Sequence, residues 1–157
     1  MSVICLNTKI NAAIETCFDL SRSIELHKIS TAHTNEQAIG GVTSGLIGFN
    51  EYVTWQAKHF GITQKLTTKI TEYKRPFHFR DEQIKGAFSS FKHDHYFSVE
   101  AGVVIMKDVF EFQSPYGIFG SIFNRLILTR YMRTLLVRRN EIIREFAENS
   151  KEKILFE

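Results

Sequence analysis

Residues 91–97 read FKHDHYF, two histidines two positions apart with an aspartate between them and a phenylalanine at each end. On a helix this spacing would scatter the side chains. On a strand it places Phe91, His93, His95 and Phe97 on one face and Lys92, Asp94 and Tyr96 on the other. Two ionisable imidazoles then share the apolar face, and their chemistry depends on what stands opposite. A tight turn at Ala101-Gly102 pairs Glu100 with Val103, so His95 faces Asp108, Phe97 faces Met106, His93 faces Phe110 and Phe91 faces Phe112. Lys92, Asp94, Lys107 and Glu111 fall on the opposite face and are expected in water. Both strands select the same inward face independently, which supports the register.

Three chemistries fit such a cluster. Two histidines at i, i+2 with an opposing carboxylate form the ligand set of a two-histidine, one-carboxylate metal site. No third strong ligand is visible, so the expectation is no metal and no cofactor. A histidine beside an aspartate in an apolar cavity can serve as general acid or base, because the carboxylate favours the imidazolium while burial opposes it. His95 and Asp108 are the catalytic candidates on that reading. The third reading is a polar patch, with Asp81 as a further member, that orients an apolar ligand or satisfies itself in the core. Nucleophilic catalysis has little support. Cys5 and Cys17 lie early in the chain, and no GxSxG or Cys–His signature occurs.

The elements that must position these groups follow from periodicity. A first strand is expected over 2–10, with Ile4, Leu6, Thr8 and Ile10 on one side. Asn11 reads as the cap of a short helix, AAIETCFDL, and a second short helix covers 23–29. A Gly- and Thr-rich loop follows, through GGVTSGLIG. Alternating strands are expected over 51–60, 63–74, 77–85, 89–99 and 103–113. A turn at Gly61-Ile62 would place Val53, Trp55 and Ala57 inside with Leu66, Thr68 and Ile70, and Phe77 and Phe79 would join them. After Ser114-Pro115 the period becomes helical, to about residue 149, with a stripe through Phe119, Phe123, Ile127, Tyr131, Leu135, Ile142 and Phe146. Arg138 falls within that stripe, and Arg139 falls away from it. Neither a lone amphipathic helix nor a lone sheet can bury its apolar face, so the sheet should grip the helix.

Composition bounds the rest. The 157 residues suit one domain spanning 1–157, and 14 phenylalanines can fill a core or line an apolar cavity. Two cysteines provide no disulfide framework, no secretory signal opens the chain and no run is long enough to span a bilayer, so a cytoplasmic protein without stable membrane insertion is expected. Net charge is only +3, although six arginines fall between 125 and 144. That run could meet an acidic surface, but it reads better as a solvated helix face, and no nucleic-acid partner is expected.

The order of elements, with CFDLSRSIELHKIST, GFNEYVTWQAKHFG, FRDEQIKGAFSSFKHDHYF, MKDVFEFQSPYGIFG and YMRTLLVRRN, resembles the SRPBCC superfamily. This superfamily groups START lipid-transfer domains, polyketide cyclase/dehydrase-like proteins and birch-pollen-allergen-like proteins. The resemblance implies an α+β helix-grip fold, an antiparallel sheet of six to seven strands around a long C-terminal helix, and a hydrophobic cavity between them. The expected lining is Trp55, Phe79, Phe91, Phe97, Met106 and Phe110 from the sheet, with His93, His95 and Asp108 as its polar members and Tyr131 and Arg138 from the helix. The expected function is binding, with transport as an extension, of a small hydrophobic ligand such as a lipid or polyketide. The alternative is a cyclase/dehydratase-like enzyme using the His/Asp pair.

Overall fold

Seven antiparallel strands form one sheet in the computed structural model, which describes residues 1–114 and 124–156, with only the backbone for Asn124 and Arg125. The strands are β1 (Ser2–Ile10), β2 (Gln37–Gly41), β3 (Tyr52–His59), β4 (Ile62–Lys74), β5 (His78–Lys85), β6 (Ser90–Glu100) and β7 (Val103–Gln113). Their order across the sheet is β1-β7-β6-β5-β4-β3-β2, so β1 returns to pair with the last strand of the meander. Two short helices, α1 (Ile14–Ser21) and α2 (Ile24–Ser30), follow β1, and the long helix α3 (Thr129–Glu148) follows β7, with a short α4 (Glu152–Phe156) at the end. A π-turn at Asn124–Leu128 leads into α3. Ser114 is described and buried, while Pro115, Phe119 and Phe123 of the expected helix start lie outside the described residues.

The β6–β7 hairpin has the expected register throughout, from Glu100↔Val103 to Phe91↔Phe112. Its two-residue turn needs positive φ at both positions, which Ala101 (50°) and Gly102 (77°) adopt. The β3–β4 turn sits at Phe60-Gly61, one residue earlier than expected, so Trp55 pairs with Leu66. A turn displaced by one residue moves the pairing by two, and a period of two keeps the same residues inside. Val53, Trp55, Ala57, Thr68 and Ile70 are indeed buried, and Leu66 is half-buried.

Four expectations change. β2 occupies part of the stretch read as a loop; it is a short edge strand, and Gly41 is required there because a Cβ would meet the Tyr52 carbonyl at 2.1 Å. The first helix begins at Ile14 after Ala13, not after Asn11, whose N–H instead donates to Glu148 Oε1 at 2.9 Å. Phe77 is 60% exposed, because it belongs to the turn before β5, where its N–H donates to the Lys74 carbonyl. Asp94 is buried rather than in water: on the outer face, Arg80 Nε and His78 Nε2 each meet Asp94 Oδ1 at 2.8 Å.

The core lies between the inner face of the sheet and the helices, in two apolar groups. One joins Ile10, Phe18, Trp55, Phe79, Phe97, Met106 and Ile143, sealed by α1 and α2. Phe18 is its hub, edge-on to Tyr73 and Phe79 at 5.4 and 5.3 Å between ring centres. The other joins Ile4, Leu6, Phe110, Phe112, Leu128 and Leu136, with half-buried Phe88, Phe91, Tyr131 and Met132 packed against it.

Candidate functional site

Between the two apolar groups lies a polar layer built from the middle of the sheet and the middle of α3. His93, His95, Asp108, Arg139 and Asn140 are all buried, and Asp81 contributes a carboxyl that is 18% exposed. The strand period explains the sheet members, because Asp81, His93, His95 and Asp108 all fall on inward positions of β5, β6 and β7.

His95 stands directly across from Asp108, as expected, but the hydrogen bonds run along the diagonals. His93 Nε2 lies 2.9 Å from Asp108 Oδ1, although its direct partner in register is Phe110. His95 Nε2 lies 3.0 Å from Asp81 Oδ2, although Asp81 is in register with His93. Diagonal neighbours on a sheet are within reach of long side chains, and two imidazoles crossing between two carboxylates use that reach. The rings sit 3.8 Å apart between centres. His95 is stacked on Phe79 at 4.2 Å, and His93 lies edge-on to Phe110 at 5.2 Å. His95 Nδ1 is also 3.0 Å from Asp108 Oδ1, without the alignment of a hydrogen bond.

The helix closes the layer from above. Asn140 Nδ2 donates to Asp108 Oδ2 at 2.6 Å and to Thr8 Oγ1 at 3.2 Å. Arg139 Nη2 donates to the Ser21 carbonyl at 2.7 Å, Nη1 donates to Asn140 Oδ1 at 3.3 Å, and Nη1 lies 3.6 Å from Asp108 Oδ1. Burial alone would raise the Asp108 carboxyl, but the hydrogen bonds and charge of His93 and His95 outweigh it and hold Asp108 well below the usual carboxylate range. The same balance, through His95 and His93, lowers Asp81. Burial, reinforced by its neighbour His95, pushes the His93 imidazole down to about 4 despite the bond to Asp108. Burial also lowers Arg139, against the pull of Asp108 and Asp81.

Arg139 and Asn140 escape sequence reasoning, and Arg138, expected to face the cavity, is exposed. The buried positions of α3 are Leu136, Arg139, Asn140, Ile143 and Ala147, a regular helical stripe whose centre is polar. The stripe read from hydrophobicity alone follows its flank, where Tyr131, Leu135, Ile142 and Phe146 are half-buried and Ile127 is 50% exposed. The available signal is the spacing of Leu136, Ile143 and Ala147, which brackets the pair.

The expected lining residues divide between regions. Trp55, Phe79, Phe97 and Met106 are packed in the group sealed by α1 and α2, where Trp55 also stacks with His27 at 4.2 Å. Phe91, Phe110 and Tyr131 belong to the other group, on the far side of the polar layer. There Tyr131 reaches the tip of the β3–β4 hairpin, its hydroxyl 2.7 Å from His59 Nδ1. Two open grooves lie outside the grip, one along Arg133, Val137 and Arg138 and one over the outer sheet face between His78, Tyr96 and Lys107.

Solved structures share this architecture over nearly the whole chain. A protein from Thermus thermophilus matches with a TM-score of 0.70 at 15% identity, covering 90% of this chain and 97% of its own. A START superfamily protein from Mycobacterium smegmatis matches at 0.69 and 10% identity, covering 91% and 97%. A major latex-like protein from Panax ginseng matches at 0.61 and 9% identity, covering 93% and 97%. The chain has the helix-grip fold. The resemblance to the SRPBCC superfamily therefore holds in fold, and at these identities it reaches no further. No family model matches the sequence, and no curated protein does either. No helix among the described residues is long and apolar enough to cross a membrane.

Proposed function

We propose that the protein binds a small, mainly hydrophobic ligand between the inner sheet face and the first turns of α3. The observation that carries this reading is the asymmetry of the two apolar groups. One is sealed by α1 and α2 and buries the rings of Phe18, Trp55, Phe79 and Phe97, with Tyr73 and Phe146 half-buried against them. The other leaves Phe88, Phe91, Tyr131 and Met132 half-buried around Phe110 and Phe112, with the polar layer as its floor. Half-covered aromatic rings that converge on a few buried polar groups are the usual make-up of a small-molecule site. A flat or acyl ligand would lie against the rings, and His93 with Asp108 would meet its polar end. Helix-grip neighbours that include a START superfamily protein are in keeping with such a role. Carriage of a lipid or polyketide, and acid–base chemistry by the His/Asp pair on such a ligand, are extensions of this reading.

Two single-tryptophan proteins test it. The wild type reports from Trp55 in the sealed group, and a Trp55→Phe/Phe91→Trp variant reports from the half-open one. Titration with a naphthalene-sulfonate dye or a medium-chain fatty acid should saturate near one molecule per chain and shift the emission of the second protein. Absence of saturable binding, or a response confined to Trp55, would remove this reading.

A further inference from the structure

We infer that Asp81, His93 and His95 form a site for one divalent transition ion of the zinc and ferrous class. This reverses the expectation from sequence and is independent of whether a hydrophobic ligand binds next to it. The third ligand, read from sequence only as a further member of the polar patch, comes from β5, one strand beyond the β6–β7 hairpin.

Three donor atoms converge. His95 Nε2 is 3.0 Å from Asp81 Oδ2, His93 Nδ1 is 4.0 Å from the same oxygen, and a donor atom from each of the three residues falls within 4.8 Å of the others. Bonds of about 2.0–2.2 Å to nitrogen and oxygen put neighbouring ligands about 3.0–3.4 Å apart in octahedral or tetrahedral geometry. His95 and Asp81 already have that spacing, and His93 would have to move inward to join them.

The remaining ring nitrogens both lie beside Asp108. His93 Nε2 lies 2.9 Å and His95 Nδ1 3.0 Å from one oxygen of Asp108, the fully buried carboxylate that Asn140 and Arg139 hold in place. With both rings turned to give a hydrogen to Asp108, the lone pairs of His93 Nδ1 and His95 Nε2 face Asp81. A carboxylate behind a ligating histidine fixes its tautomer and raises its basicity, and this arrangement supplies one carboxylate for both rings. His95 Nδ1 is buried yet lacks an aligned hydrogen bond, a mismatch that a small turn of the ring onto an ion would correct.

The contact between His95 and Asp81 also needs a bridge. A lone pair on His95 Nε2 cannot sit 3.0 Å from an ionised Asp81 oxygen unless a proton or a metal lies between them. Arg139 does not fill that place, because it is directed at the Ser21 carbonyl and at Asp108. Two imidazoles and one carboxylate suit zinc or ferrous iron rather than calcium or magnesium, which prefer oxygen. Asp81 is the most exposed of the three ligands, with 18% of its side chain accessible, and marks the side from which an ion would enter.

The test uses the full chain after chelator treatment, titrated with Zn²⁺ by calorimetry and with Co²⁺ by visible absorption. One ion per chain is expected, with d–d bands of nitrogen and oxygen coordination. Asp81→Asn and His95→Gln should each weaken zinc binding more than tenfold. Asp108→Asn, which removes no ligand, should weaken it about 10–100-fold. His27→Gln, in the separate pair with Glu36, should change nothing. If a variant fails to fold, the wild type still answers. One equivalent of Co²⁺ should broaden the ring NMR signals of His93 and His95 while sparing those of His27 and His33. No saturable binding, one-ion binding that survives both Asp81→Asn and His95→Gln, or broadening that spares His93 and His95 would overturn the site and leave the hydrogen on His95 Nε2 as the bridge to Asp81.

Discussion

Asn140 on the long helix donates across 2.6 Å to Asp108 in the centre of the sheet, and both residues are buried. This contact ties the two layers of the fold together through a polar bond where periodicity leads one to expect an apolar seam. It also orients the carboxylate on which both histidines depend. Fold and candidate site therefore share one buried network, so a change made for one will be felt by the other.

The first prediction concerns that bond. Asn140→Leu keeps the branched shape of the side chain but removes the donor to a buried carboxylate, and it also removes the acceptor for Arg139 Nη1. The expected loss is about 2–3 kcal/mol in urea unfolding, the range for a hydrogen bond to a charged group. In an Asp108→Asn background the same change should cost less than half as much, because the charge that needs the donor is gone. Equal costs in both backgrounds would show that Asn140 acts through shape alone.

The second concerns Asp19, which anchors α1 and thereby the seal over the packed apolar group. Its carboxylate accepts from Arg22 Nη2 at 2.7 Å and from Arg75 Nη2 at 2.6 Å, in the turn before β5. Burial pushes this carboxyl up, but the bonds from Arg75 and Arg22 prevail and its pKa is lowered. A carboxyl lowered in the folded state holds fewer protons there than in the unfolded chain. Its stabilisation is present above the unfolded value near 4 and disappears as pH falls through the folded one. Asp19→Asn should thus cost about 1–2 kcal/mol at pH 7, with the two proteins converging as pH falls below the unfolded value. Parallel stability curves down to acid would contradict the assignment.

Much of this architecture is legible in the chain, and the failures have physical reasons. The β6–β7 register follows from alternation on two strands that meet at a turn able to take positive φ, so two independent signals agree. His93, His95 and Asp108 are readable for the same reason. Asp81 is harder to place, because its reach to His95 is a diagonal between β5 and β6, whose connection over 86–89 is not a two-residue turn that would set the register. Asp94 is misplaced because a charged residue on the outer face normally meets water, and the Arg80 and His78 that cover it come from another strand. β2 escapes notice because its edge position and glycines read as a loop. The buried face of α3 is misjudged by one position, since its two central residues are the polar ones that hold the network.

That one-position offset yields the sharpest prediction. Arg138 and Arg139 are adjacent and chemically identical, yet one is exposed and the other is directed at the Ser21 carbonyl and Asp108. Arg138→Met should change stability by less than about 0.5 kcal/mol, as expected of a solvated position. Arg139→Met leaves the Ser21 carbonyl without its donor and removes the guanidinium 3.6 Å from the buried Asp108 carboxylate. Breaking such a buried ionic contact from one side costs about 3–5 kcal/mol. Arg139→Lys should recover only part of the loss, because a single ammonium cannot span the Ser21 carbonyl, Asn140 and Asp108 as the guanidinium fork does. Chemical denaturation of the three variants decides the matter. If the larger loss falls on Arg138, the helix presents the face that hydrophobicity alone suggested, and Asn140 cannot be the residue that holds Asp108.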